Sequence, residues 1–228
     1  MPHINSVDIL RKQQQALSTK DFRARGYKVT RCDRCLIPVD NCICSQRPTI
    51  ESKAAFCLLM YKSEYYKPSN TGRVIADVIT DNYAFKWDRV APDPQLLALL
   101  DNPKYAPILV FPHQHATPER CIDAPQQALM NQAQKVPLFI MLDGTWREAK
   151  KMFKSPSLAE IPVLGIAPEK ASSYQLREAA HEHQLCTAEV AVEVLKLADD
   201  EASAEALHDY FQIFRRAYIK GKPHLTFV

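Results

Sequence analysis

Short runs of apolar residues, separated by segments with helical spacing, recur along this 228-residue chain. Runs of this length are typical of strands buried on both faces of a sheet. The clearest run covers residues 138–142 and follows Pro137. Further strands are predicted at 54–61, 83–90, 108–111 and 161–166. Helices are predicted at 72–80, 96–100, 124–135, 186–197 and around 207–218. This alternation of strands and helices indicates an α/β fold with a mostly parallel sheet.

The segment after the central strand has the pattern of a turn followed by a helix. Asp143 and Gly144 form a turn pair, and Thr145 and Glu148 have the spacing of a capping box. A helix should therefore begin at Trp146. Asp143 then lies where a buried strand ends, which is the edge at which open α/β sheets bind ligands.

The predicted helix after this turn has two different faces. At about 100° per residue, its residues separate into an apolar side and a cationic side. The apolar side consists of Trp146, Ala149, Met152 and Phe153. The cationic side consists of Arg147, Lys150, Lys151 and Lys154. An ordinary helix with a solvated face fits this pattern, and so does a basic ridge that meets a polyanion.

Four cysteines near the N-terminus have the spacing of a metal site. They are Cys32, Cys35, Cys42 and Cys44, in the segment RCDRCLIPVDNCIC. Four thiolates can enclose one soft metal ion in a tetrahedron, and zinc is the usual ion. An iron–sulfur cluster is the less favoured alternative. With all ligand positions filled by protein, the zinc should be structural. The isolated Cys57, Cys121 and Cys186 are predicted to fill the core.

Composition and charge place the chain among ordinary globular proteins. Hydrophobic residues make up 46% and charged residues 24%, and the formal net charge is +3. No apolar run approaches the about 18 residues that a membrane span needs. The start has no apolar signal-peptide core, so we expect a cytoplasmic protein with reduced cysteines. We expect an N-terminal extension with the zinc module at 1–50 and one larger domain at 51–228.

Several familiar ligand-binding motifs are absent from the sequence. Only five glycines occur, and neither G-x-G-x-x-G nor G-x-x-x-x-G-K-[ST] is present. A cofactor on this sheet should therefore have no pyrophosphate to bind, a condition that S-adenosylmethionine meets. Two His-x-His pairs, at 113–115 and 181–183, lack a third ligand at suitable spacing, and we interpret them as loop histidines.

A polar segment at 62–73 connects a predicted strand to a predicted helix. Asn70 or Thr71 can cap this helix. Lys62, Lys67 and Arg73, together with two tyrosines, would suit a phosphate and a stacked base. A plain surface loop fits the same residues equally well.

Several separated segments together resemble one protein family. They are DGTWREA at 143–149, KSEYYKPSNTGR at 62–73, LVFPH at 109–113, SSYQLREA at 172–179 and LCTAEVA at 185–191. With the cysteine cluster, they resemble the DTW-domain family, which includes bacterial tRNA-uridine aminocarboxypropyltransferases. The resemblance covers the chain from about Cys32 to the C-terminus.

The resemblance implies a fold and a reaction. The fold would be a SPOUT-like knotted sheet. The reaction would transfer the 3-amino-3-carboxypropyl group from S-adenosylmethionine to N3 of a uridine in tRNA, releasing methylthioadenosine. Asp143 would be the general base or would anchor the donor's ammonium group. The residues assigned to the cofactor are Leu142, Thr145, Trp146, Leu164 and Thr187; for the indole of Trp146, core packing is the alternative.

The partners follow from the same resemblance. We expect tRNA and S-adenosylmethionine as partners, no membrane, and a monomer. The candidates for tRNA phosphates are Arg73, Arg147, Lys150, Lys151 and Arg177. Two other functions remain open: an S-adenosylmethionine-dependent RNA methyltransferase, and a non-enzymatic zinc-containing RNA-binding adaptor.

Overall fold

A six-stranded parallel sheet forms the centre of the protein in the computed structural model, which describes residues 5–19, 28–130, 134–166 and 185–221. The strands are β1 Ala55–Met60, β2 Asn82–Lys86, β3 Tyr105–Val110, β4 Cys121–Ile122, β5 Val136–Asp143 and β6 Val163–Leu164. Their spatial order is β2-β1-β5-β3-β6-β4, and every neighbouring pair is parallel. The predicted α/β fold with a mostly parallel sheet is confirmed.

The helices are α1 Ser6–Ala16, α2 Gly72–Val78, α3 Pro94–Leu100, α4 Pro125–Leu129, α5 Trp146–Phe153, α6 Thr187–Leu197 and α7 Glu201–Lys220. The helices after α1, which was not among those predicted, agree in position with the sequence pattern, although several of their bounds differ. Helix α4 is shorter than the predicted 124–135, since the backbone at 134–135 is no longer helical. The two-residue strand β4 was not predicted, because two residues are too few to show a periodicity.

Side chains on the two faces of the sheet form two separate cores. On β5, Phe139 and Met141 pack in the first core, whereas Ile140 faces the second. The first core also contains side chains from α1, α2, α6, α7 and the cysteine segment. The second core contains side chains from α3 and α5. Since side chains alternate along a strand, Asp143 lies on the side of the first core.

The N-terminal segment packs against the first core and is tied to α2. The side chain of Asn5 accepts hydrogen bonds from the first amides of α1. Its Nδ2 atom donates to the carbonyl of Arg73 (3.1 Å) and to Oδ1 of Asp77 (2.7 Å), both in α2. The first core therefore spans the predicted boundary at residue 50, and the division into 1–50 and 51–228 stays a prediction.

The predicted knot depends on the path of the chain between β6 and α6. Residues 167–184 of that path lie outside the described residues, so the SPOUT-like knot stays a prediction. Within the described part of the chain, no helix combines the length and the apolar character needed to cross a membrane.

Candidate functional site

Asp143 ends the central strand β5 and lies at the carboxyl edge of the sheet, as predicted. Asp143 is buried, with 5% of its surface exposed. Oδ2 accepts a hydrogen bond from Nδ2 of Asn70 (2.7 Å), and Oδ1 accepts one from Oγ1 of Thr187 (3.2 Å). One donor comes from the loop before α2 and the other from the first residue of α6. The carboxylate is therefore fixed by two segments that are far from it in the sequence.

The side chain of Asn70 connects the carboxylate to the start of α2. Its Oδ1 accepts the backbone N–H of Arg73 (3.0 Å). Because a backbone amide can only donate, Oδ1 must face α2 and Nδ2 must face Asp143. Asn70 thus caps the helix, as one of the two predicted caps, and also orients the carboxylate.

The starts of α2 and α6 converge at this carboxylate. The hydroxyl of Thr71 accepts the backbone N–H of Ala188, in the first turn of α6 (3.4 Å). Thr187, at the start of the same helix, donates to Asp143. Helix N-termini carry partial positive charge from their free N–H groups, which favours a nearby anion. The carboxylate therefore lies where the starts of two helices meet.

Gly72 allows the carboxylate to approach the first turn of α2. A Cβ atom at this position would lie 2.4 Å from Oδ2 of Asp143. That separation is far below van der Waals contact, so a larger residue must displace either the helix or the carboxylate. The position of Asp143 therefore explains why the S-N-T-G stretch at 69–72 ends in a glycine.

We expect Gly72→Ala to destabilise the protein by about 1–3 kcal/mol, because the added methyl group overpacks this contact. The measurement is the free energy of unfolding in urea for a double-mutant cycle with Asp143→Ala. In the Asp143→Ala background the carboxylate is gone, so adding Gly72→Ala should cost much less. If Gly72→Ala lowers the free energy of unfolding equally in both backgrounds, the proposed clash is contradicted.

The predicted cofactor residues do not all lie beside Asp143. Thr187 contacts the carboxylate. Leu164 is fully buried in the first core. Leu142 packs on the second core, on the opposite face of the sheet. The capping box of α5 forms as predicted: the amide and hydroxyl of Thr145 both donate to Oε2 of Glu148, at 2.7 and 2.6 Å.

Trp146 lies with the second core rather than with the carboxylate. Its ring stacks on Phe111 (5.4 Å between centroids) and lies 6.4 Å from the ring of His115. The indole is 40% exposed, so it is only partly packed in the core. A ligand that contacts both Asp143 and Trp146 must therefore extend along the edge of the sheet.

The first His-x-His pair lies in a loop, as predicted. Nε2 of His113 lies 2.8 Å from the backbone nitrogen of Gly165 and 3.1 Å from the carbonyl oxygens of Ile122 and Val163. This ring therefore connects the loop after β3 to β4 and β6. The second pair, at 181–183, lies outside the described residues.

The predicted RNA-contacting cations have different positions. Arg147, Lys150 and Lys151 are exposed on α5, so the predicted basic ridge is present there. Arg177 lies outside the described residues. Arg73 is 2% exposed. The prediction that Arg73 meets a tRNA phosphate does not fit this position, because the side chain is buried against Phe214 of α7.

The four predicted metal ligands come together as a compact group. The sulfur atoms of Cys32, Cys35, Cys42 and Cys44 all lie within 4.8 Å of one another. The Cys32–Cys44 distance is 3.7 Å and the Cys35–Cys42 distance is 3.8 Å. A tetrahedron with metal–sulfur bonds of about 2.3 Å has sulfur atoms about 3.8 Å apart. Two of the six sulfur–sulfur distances match this value, and the group could bind a metal ion such as zinc.

The thiols in this group have unequal acidity. Burial alone would raise the pKa of Cys32, but hydrogen bonds from the backbone amides of Cys35 and Arg34 outweigh it and lower that pKa to about 7. Burial raises the pKa of Cys35 and of Cys44. A bound cation would favour all four thiolates, since metal ligands must be deprotonated.

The remaining cysteines lack the features of nucleophiles. Burial raises the pKa of Cys57 to about 12, and it also raises the pKa of Cys186. A thiol with a raised pKa forms little of the reactive thiolate at neutral pH. Cys121 is partly exposed, and its thiol donates to the carbonyl of Thr117 (3.4 Å). These positions are consistent with packing roles.

Together, these features define a class: a parallel α/β protein with a group of four cysteines that could bind a metal ion, and an oriented carboxylate at the carboxyl edge of its sheet. The family model of the DTW domain matches residues 29–219, and the chain belongs to the DTW-domain family. Membership in this family is consistent with a tRNA-modifying enzyme of the transferase type. A search of solved structures finds no match to this chain.

Proposed function

We propose that this protein transfers the 3-amino-3-carboxypropyl group of S-adenosylmethionine to N3 of a uridine in tRNA. The observation that carries the proposal is the carboxylate of Asp143, which Asn70 and Thr187 orient at the edge of the sheet in a chain of the DTW-domain family. The exposed cations on α5, which begins three residues after Asp143, give secondary support.

The reaction would exchange one bond for another at the donor's γ-carbon. The bond between this carbon and the sulfonium breaks, and its electron pair stays on sulfur in methylthioadenosine. The lone pair of uridine N3 forms the new C–N bond, and N3 loses its proton. All three carbons on the sulfonium are electrophilic, so the product depends on which carbon faces N3. Orientation of the donor is therefore the main task of the protein.

Asp143 suits either of two roles in this reaction. As a general base, it would accept the N3 proton, although the reference pKa of an aspartate, about 3.9, makes it a weak base. As an anchor, it would bind the ammonium group of the donor and so select the γ-carbon. Both roles need an ionised carboxylate, and the hydrogen bonds from Asn70 and Thr187 favour that form.

The cationic side of α5 provides a surface for the tRNA backbone. Arg147, Lys150 and Lys151 are exposed, and the ammonium of Lys150 lies 5.8 Å from the centroid of the Trp146 ring. Exposed cations beside an accessible indole suit a phosphate chain with an unstacked base. We therefore propose that tRNA approaches the sheet edge over α5.

We expect the double variant Lys150→Gln, Lys151→Gln to weaken tRNA binding and to reduce its dependence on salt. Each lost phosphate contact should lower the slope of log K against log salt by about 1. The measurement is tRNA affinity at several salt concentrations. Lys104→Gln is the control, because Lys104 precedes β3 at the opposite edge of the sheet and pairs with Asp81. A slope equal to that of the unmodified protein would contradict the assignment.

The reaction is tested with two samples of S-adenosylmethionine, one labelled in the aminocarboxypropyl group and one in the methyl group. The metal-loaded protein is incubated with bulk tRNA and each donor, and the tRNA is digested to nucleosides for mass spectrometry. The proposal predicts that only the aminocarboxypropyl label enters a uridine, while the methyl label leaves in methylthioadenosine.

The alternatives predict different distributions of the two labels. An RNA methyltransferase would place the methyl label in the nucleoside and leave the other label in S-adenosylhomocysteine. A zinc-containing RNA-binding adaptor would bind tRNA, transfer neither label and fail to bind S-adenosylmethionine. Either outcome would overturn the proposed reaction.

A further inference from the structure

Arg73 carries a buried positive charge on the first turn of α2. The residue is 2% exposed. Its Nη2 donates to the carbonyl of Pro68 (3.4 Å), and its guanidinium carbon lies 5.8 Å from the centroid of the Phe214 ring. Nη1 has no hydrogen-bond partner within the part of the chain that the structure describes. A buried cation is costly unless an anion balances it.

The two carboxylates that act electrostatically on Arg73 already have arginines of their own. Asp8 pairs with Arg11 (3.4 Å), and Asp77 pairs with Arg47. With Arg73, three guanidinium groups face two carboxylates, so this described region has a surplus of one positive charge. Burial also raises the pKa of Asp8.

The four-cysteine group lies beside this region of surplus positive charge. Arg11 also donates to the carbonyl of Asp33, which lies between two of the cysteines. Cys35 is 1% exposed and belongs to the same core as Phe214. Burial lowers the pKa of Arg73, while Asp77, Asp8 and Cys35 act to raise it. Arg73 is therefore within electrostatic reach of a metal ligand.

A metal-loaded group of four thiolates would supply the missing negative charge. A divalent ion bound by four thiolates carries a net charge of about −2, and two buried opposite charges interact strongly because the interior screens them weakly. We infer that the guanidinium of Arg73 is the counter-cation of the four-cysteine metal centre. It stabilises the loaded centre without contacting RNA.

The position of Arg73 also connects the metal centre to the candidate active site. Its backbone N–H donates to Asn70, and the amide of Asn70 donates to Asp143. One turn of α2 therefore carries both the counter-cation and the group that orients the carboxylate. Arg73 acts through these neighbours and is a positioning residue rather than a catalytic one.

The test compares Arg73→Met, Arg73→Gln and Arg73→Lys in the full-length, zinc-loaded protein. Zinc affinity is measured by competition with a chromogenic chelator. Loss of an interaction outside the ligand shell typically lowers metal affinity by about 10–100-fold. We expect a loss of that size for Arg73→Met and Arg73→Gln. Arg73→Lys should retain most of the affinity, because it keeps the charge.

Arg120→Met is the matched control. Arg120 also lies over an aromatic ring, 5.5 Å from the centroid of Phe153, and donates to the carbonyls of Leu158 and Ile161. Because Phe153 belongs to the second core, the loss of Arg120 should affect stability but leave zinc affinity unchanged.

Two results would overturn the inference. One is equal zinc affinity in Arg73→Gln and Arg120→Met. The other is an equal loss of affinity in Arg73→Lys and Arg73→Gln, which would show that charge is not the cause. If Arg73→Met does not fold, the comparison of Arg73→Lys with Arg73→Gln still decides. Because the readout is zinc affinity, failure of the proposed transferase activity would not affect the result.

Discussion

Replacing Asp143 by Asn is expected to reduce turnover of the proposed transfer by about a hundredfold or more, the usual range for loss of a group that transfers a proton. The change removes the charge but keeps the shape. The oxygen of the new amide can still accept from Asn70, and its NH₂ group can donate to the hydroxyl of Thr187, which is able to accept. The variant should therefore fold, and its loss of activity should reflect the missing charge.

Ligand affinity separates the two possible roles of Asp143. Isothermal titration measures the affinity for S-adenosylmethionine and for methylthioadenosine, which lacks the ammonium group. If Asp143 is an anchor, the Asp143→Asn variant should lose affinity for S-adenosylmethionine and keep it for methylthioadenosine. If Asp143 is a base, both affinities should persist while the single-turnover rate falls. In either case the rate must fall.

Asp88→Asn is the matched control for this experiment. Asp88 follows β2 at the same edge of the sheet but is exposed, and it accepts hydrogen bonds from the backbone amides of Val90 and Ala91. Its replacement should leave both affinities and the rate unchanged. If Asp143→Asn behaves like Asp88→Asn, Asp143 has neither role and the proposed function fails.

Local sequence signals predicted the position of Asp143 but not its partners. A buried apolar run and a capping box each involve only a few consecutive residues. The end of β5 and the start of α5 could therefore be located from the sequence. The contacts with Asn70 and Thr187 connect residues 73 and 44 positions apart. No periodicity carries that information. The S-N-T-G stretch at 69–72 indicated a helix cap. Only the structure shows that Asn70 of this stretch also binds the carboxylate of Asp143.

Arg73 shows why the exposure of the predicted RNA-contacting cations could only partly be predicted from the sequence. Beside a helix start and two lysines, an arginine fits an exposed phosphate site. In the structure, α7 packs over it and the N-terminal segment closes the same core. Both come from distant parts of the chain, so the burial of Arg73 could not be read from its neighbours. By contrast, the exposure of Lys150 and Lys151 follows from the periodicity of α5 itself.

If the four cysteines hold a structural metal ion, its removal should cause the largest loss of stability. The cysteine segment contains only short turns among its described residues, and its buried side chains, such as Ile37 and Ile43, are few. A segment with so little core of its own would depend on a bound metal ion to hold its shape. Since these side chains pack in the first core, their release would expose apolar surface on α7 as well.

We expect Cys35→Ser, or treatment of the unmodified protein with a strong chelator, to cost at least about 3 kcal/mol of stability. This is a fraction of the about 10–16 kcal/mol with which structural zinc sites bind. For a chain of this length, it corresponds to a fall in Tm of about 6–12 °C. Calorimetry measures the change, and an absorption spectrum identifies the metal, because a zinc centre is colourless whereas an iron–sulfur cluster absorbs visible light.

Cys121→Ser is the control for the loss of a thiol outside the metal centre, since Cys121 contacts the backbone of Thr117 and not the other cysteines. The Tm of Cys121→Ser should match that of the unmodified protein. Treatment with the chelator should lower the Tm of both proteins by the same amount. If Cys35→Ser and chelation both leave Tm unchanged, the four thiols do not hold a structural metal. The cysteine segment would then be stabilised by packing against the first core alone, and Arg73 would have no anion to balance.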